Sequence, residues 1–158
     1  MLLAQGKRCP GGSSTGVVSP TQGCERTCMS LFDWLLIGHL VGDFLFQSDG
    51  MARQKAEDGM WILRHVGVYM LFVTPILVVY AVSHRLPAWL AAGAWLFIFL
   101  THILLDRRAF TRWWMRAVGT APDQVWLAIV IDQVFHLLTL AVVAQVLAWA
   151  ATWGGAAP

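Results

Sequence analysis

The stretch Val125–Trp149, VWLAIVIDQVFHLLTLAVVAQVLAW, decides the fold class. It is apolar almost throughout and contains neither Pro nor Gly. As a helix it rises about 37 Å, more than the ~30 Å hydrocarbon core of a bilayer. Yet Asp132 and His136 lie inside it, four residues apart and so on one helix face. Ionisable side chains within a membrane-length apolar helix are costly, and by default they mark a functional site.

The same four-residue step recurs along the chain. His39 precedes Asp43, His102 precedes Asp106, and His65 precedes Tyr69. Each pair sits on its own apolar segment: Leu31–Gln47, Trp61–Val82, Ala88–Leu105 and Val125–Trp149. These segments predict an all-α membrane protein, with four transmembrane helices in an antiparallel bundle and a short interfacial segment. The first and third are near the lower length limit for a span. The short link Ser83–Pro87 predicts a hairpin of the second and third helices. Pro75 removes a backbone donor inside the second and predicts a bend there.

Composition agrees with this class. Of 158 residues, 58% are hydrophobic and 13% charged, with a mean hydropathy of +0.61. A soluble domain is nearer half apolar and a quarter charged. The expected organisation is a single membrane domain over residues 29–150 with a C-terminal tail over 151–158. Residues 1–28, rich in Gly, Ser, Thr and Pro, read as a disordered tail or as an over-extended start, with Met29 as the true first residue. They contain no apolar run of signal-peptide length. All three cysteines, Cys9, Cys24 and Cys28, lie there, without the second ligand pair that a zinc site needs. A net charge of +2 is too small to argue for nucleic acid. The lipid bilayer is the implied partner, and a homo-oligomer is compatible with the sequence.

Basic residues matter by position. The first loop region holds Arg53, Lys55 and Arg64, and the third holds Arg107, Arg108, Arg112 and Arg116. Lys and Arg concentrate in cytosolic loops, so both loops are expected in the cytosol and both termini outside. In the third loop Arg108, Arg112 and Arg116 repeat every four residues beside Phe110, Trp113, Trp114 and Ala117. That pattern suits an interfacial helix on anionic lipid, or an ordinary basic loop with aromatic anchors.

In alternating helices, the reversed order of Asp132 and His136 keeps the chemistry at matching depths. Asp is nearer the basic loops and His deeper in all three Asp/His helices. At 1.5 Å per residue the groups fall between the helix ends and about 16 Å inward. One shared site is therefore expected. His39, Asp43, His102, Asp106, Asp132 and His136 are the candidate metal ligands, since imidazole and carboxylate suit zinc or manganese. A cation would also offset the cost of burying three carboxylates. His65, Tyr69 and Asp132 are candidate catalytic groups that position substrate or move protons. Gln47 and Gln133 are placed to orient ligands. Gly38 and Gly42 form a small-residue face for close helix approach.

The ordered set resembles a known family. The run His39-Leu-Val-Gly-Asp43-Phe-Leu-Phe-Gln47-Ser-Asp49, then Lys55, His65 with Tyr69, Thr101-His102 with Asp106, and Asp132-Gln133 with His136, is similar to the domain-of-unknown-function 3307 family. The resemblance covers about Leu31 to Trp149 and implies a small multi-pass protein of the bacterial inner (plasma) membrane. It brings no established activity. The head before Met29 departs from the family pattern. His and Asp on short spans are also similar, in residue type, to membrane-bound metal-dependent hydrolases. The leading expectation is thus a metal-dependent hydrolase acting on a lipidic or membrane-proximal substrate. The alternatives are a proton or divalent-cation transport component, and a structural membrane subunit whose polar core only fixes packing. Transport needs polar groups across the full thickness, and Phe72–Val82, Ala88–Phe99 and Leu137–Trp149 carry almost none.

Overall fold

The computed structural model describes residues 29–48, 50, 58–120 and 123–154. The segment 1–28 with its three cysteines, Arg53 and Lys55 of the first loop, and residues 155–158 lie outside the described residues.

Ser30 starts the first helix. Its hydroxyl accepts from the Asp33 backbone N–H at 3.2 Å, and the Asp33 carboxylate accepts from the Ser30 N–H at 2.7 Å. This reciprocal pair satisfies donors that a helix start leaves open. Asp33 is thus a capping residue. Helix α1 covers Leu31–Leu40 and passes into a π-helical turn, Val41–Leu45. Helix α2 follows over Gly59–Ser83, α3 over Ala88–Asp106, α4 over Ala109–Ala117 and α5 over Val125–Gly154. No strand occurs among the described residues.

The expectation of four transmembrane helices is corrected to three among the described residues. Helices α2, α3 and α5 are long and apolar enough to cross a membrane. The first segment is not, because α1 and its π turn together rise only about 22 Å, short of the ~30 Å core. Its apolar composition extends to Phe46, but its regular helix does not.

The turn between α2 and α3 is as tight as expected. Leu86 N–H bonds to the Ala81 carbonyl at 2.9 Å and Arg85 N–H to that of Val82 at 3.2 Å, with Arg85 left-handed at φ 52°. This is the double closure by which helices commonly end on a left-handed residue. Pro87 then keeps α2 from continuing. Pro75 lies inside α2 without ending it.

Helices α1, α2, α3 and α5 pack in cyclic order, each against two neighbours. Leu35, Val66, Val73, Leu77, Ile98, Leu140 and Leu147 fill the interior between them. Large apolar side chains such as Leu71, Val82, Trp89 and Leu138 face outward. A soluble bundle would bury such residues, whereas hydrocarbon is a good solvent for them. The small-residue face works as expected. A side chain at Gly42 would meet the Tyr69 Cα at 3.0 Å, and one at Gly38 would meet Ile76 Cδ1 at 2.8 Å. Absence of a Cβ lets α1 and its π turn lie directly on α2.

The basic third loop is a helix, α4, which packs on α3 and α5. Thr111 and Met115 form its buried side, and Phe110 and Trp114 meet Phe135 of α5 edge-on. Arg112 and Arg116 are exposed, but Arg108 leaves their stripe. It precedes the helix in a left-handed conformation at φ 57°, where the chain bends away from α3.

Candidate metal centre

All four constellations meet at one end of the bundle. His39, Asp43, His65, His102, Asp106 and His136 are each at most 3% exposed, and Tyr69 is 1% exposed. They come from the last turn of α1, the π turn, the first half of α2, the end of α3 and the first half of α5. The cyclic packing places those ends side by side.

The shortest contacts run between helices rather than within the four-residue pairs. His65 Nε2 lies 2.9 Å from Asp43 Oδ1 and 3.0 Å from Asp106 Oδ2. His102 Nε2 lies 3.3 Å from Asp106 Oδ2, 3.3 Å from His65 Nε2 and 3.7 Å from Asp43 Oδ1. Within their own helices, His136 and Asp132 are 3.7 Å apart and His39 and Asp43 are 4.0 Å apart. Asp43 lies in the π turn and approaches His65 of α2 more closely than His39 of its own segment, and such turns recur at functional sites.

Two groups of side chains have the proximity a metal ion needs. Asp43, His65, His102 and Asp106 each offer a ligand atom, and these atoms lie within 4.8 Å of one another. Asp106, Asp132 and His136 form a second such group, so Asp106 belongs to both. Five separations in the first group, from 2.9 to 3.7 Å, bracket the ~3.3 Å edge of a tetrahedron with ~2.0 Å metal–ligand bonds. Two imidazoles and two carboxylates are also a donor set that zinc and manganese accept.

His39 stands outside both groups. Its Nε2–H donates to Gln133 Oε1 at 2.9 Å, and Gln133 Nε2 donates to Asp43 Oδ2 at 2.8 Å. His39 and Gln133 therefore hold Asp43 from behind, the arrangement by which outer residues orient a ligating carboxylate. The Nδ1 atoms of His39 and His102 are buried without a hydrogen-bond partner among the described residues. His136 Nδ1 donates to the Asp132 carbonyl at 2.9 Å, which leaves the lone pair of its neutral ring on Nε2. Tyr69 stacks on His102 with ring centres 3.8 Å apart and meets His39 edge-on at 5.7 Å, so it fixes two imidazole planes.

His65, expected as a catalytic group, lies within the first group. Sequence reasoning missed two features. Thr111 of α4 is fully buried and donates to Asp132 Oδ1 at 3.4 Å. Arg108 lines a cleft of about 190 Å³ together with Asp43, Gln47, Asp132 and Gln133. A hydroxyl and a guanidinium in a basic, aromatic loop carry no pairwise spacing that would have pointed to the site.

Three apolar helices able to span a membrane, closed at one end over buried His and Asp able to hold a metal ion, define a membrane protein with a metal-capable core. The chain belongs to the family described as protein of unknown function (DUF3307), whose model matches residues 31–154. No curated protein and no solved structure matches it.

Proposed function

We propose that this protein is a membrane-embedded, metal-dependent hydrolase acting on a lipidic or membrane-proximal substrate. The observation that carries the reading is the cross-helix group of Asp43, His65, His102 and Asp106, with near-tetrahedral spacing in the buried interior. Burying carboxylates without positive charge costs several kcal/mol per ion, and a zinc or manganese ion is the economical remedy. Such an ion supplies Lewis acidity and activates water near neutral pH. Asp106, shared by the two groups, would join a second ion position at Asp132 and His136 to the first. His39 and Gln133 hold the Asp43 carboxylate in its orientation. Asp132, less buried than the rest and lining the cleft, is the group placed to exchange protons with an entering substrate.

Arg64 and Arg107 flank the helix ends that bear the site, and with α4 they support a cytosolic location for it. The setting in this reading is the bacterial inner membrane. Transport is disfavoured because the far half of the interior is filled by Leu, Val and Ala. The His39–Gln133–Asp43 chain favours one rival reading, a polar core that only glues helices together.

A panel of lipid ester and lipid phosphate substrates, offered to purified protein in nanodiscs, tests the proposal. Hydrolysis that a chelator abolishes, that zinc or manganese restores, and that His65→Ala lacks is the expected result. Activity unaffected by the chelator, or no hydrolysis of any member by metal-loaded protein, would count against it.

A further inference from the structure

The cleft beside the metal-capable centre has a mixed lining. Asp43, Asp132, Gln47 and Gln133 line it together with Arg108. Its volume of about 190 Å³ suits a headgroup rather than a whole lipid. Phe44 and Ile129 continue the lining, and both are largely exposed on the outer surface of the bundle. The cleft thus joins a polar interior to an apolar exterior.

Arg108 follows the Arg107 cap of α3, and its N–H bonds to the Leu105 carbonyl at 2.8 Å, so α3 ends on a left-handed residue as α2 ends on Arg85. Arg108 is half-buried and lines the cleft, apart from the exposed Arg112 and Arg116. Its guanidinium makes no ion pair among the described residues, so its donors remain available. A planar fork of donors matches phosphate oxygens two at a time.

We infer that this cleft binds the phosphate of a lipid phosphate, a phosphate ester bearing an acyl or isoprenyl chain. Arg108 grips the phosphate while the chain leaves past Phe44 and Ile129 into the bilayer. The inference rests on the metal reading, because Asp43 and Asp132 would repel an anion unless a cation balances them.

Isothermal titration of the metal-loaded full chain in detergent tests this, with dioctanoyl phosphatidic acid, dioctanoylglycerol and inorganic phosphate as probes. Phosphatidic acid should bind at least tenfold more tightly than either of the others. R108Q should weaken it tenfold or more, R108K should fall between, and R112Q should match the wild type. Equal binding of phosphatidic acid by R108Q and wild type would overturn the inference. So would affinity for dioctanoylglycerol, or for inorganic phosphate, equal to that for phosphatidic acid. Comparison of the three probes on the wild type decides the matter even if R108Q fails to fold. Element analysis of the same samples keeps the two ideas apart. Metal retained with Arg108-independent binding sinks only the inference, whereas a metal-free wild type sinks the hydrolase reading.

Discussion

At one end of the bundle four imidazoles and two carboxylates are almost wholly buried, while at the other the interior is Leu77, Ala81, Val143 and Leu147. The same helices supply both ends. The apolar end holds the helices together by packing and has no partner requirement. The polar end has many. Each of its groups must be satisfied, and an uncompensated buried charge costs far more than a lost methyl group. Chemistry concentrated at one end therefore needs the other end as its clamp. Substitutions at the two ends should accordingly fail in different ways.

The largest contrast is expected between Asp106→Ala and Leu147→Ala. Asp106 joins both ligand groups, so its loss should remove metal from the purified protein while insertion and helicity persist. Leu147→Ala leaves a cavity and should cost about 2–5 kcal/mol of stability with metal content unchanged. Element analysis beside thermal melts separates the two. Equal metal content in both variants would erase the contrast. Wild-type metal content should also fall as pH is lowered, because carboxylate and imidazole ligands must be deprotonated to bind.

A smaller effect is expected within the polar end, between ligands and the residues behind them. His39→Ala and Gln133→Leu should each weaken metal affinity about 10- to 100-fold, whereas His65→Ala should abolish it. A His39→Ala variant as metal-poor as His65→Ala would make His39 a ligand instead. Smaller again is Gly42→Val, whose new side chain would press on the Tyr69 backbone. It should cost about 1–3 kcal/mol and lower metal content only as far as it displaces Asp43.

Much of this was legible in the sequence. The pairs His102/Asp106 and Asp132/His136 were visible because one helical turn separates their members and because apolar surroundings make them conspicuous. Their reversed order gave the shared depth. Gly38 and Gly42 were readable beside them. The π turn at Val41–Leu45 was not, since a wide turn leaves the hydropathy pattern unchanged. The first segment falls short of a span because α1 and its π turn end at Leu45, although the apolar composition runs on to Phe46. His65 was underrated because its partners, Asp43 and Asp106, lie on other helices. Arg108 and Thr111 reach the site only because the chain bends after Asp106, and a bend at a residue other than Gly has no local signature.

The central claim is that Asp43, His65, His102 and Asp106 together hold one divalent ion. X-ray absorption at the zinc edge of the zinc-loaded full chain addresses it most directly. The account expects a shell of nitrogen and oxygen at about 2.0–2.1 Å, with the multiple scattering of two imidazoles, and loss of one imidazole's signal in His102→Ala. A sulfur shell at about 2.3 Å would put the ion on the cysteines of the N-terminal segment, and a sample that retains no zinc would show a polar core without a metal. Either result would contradict the account.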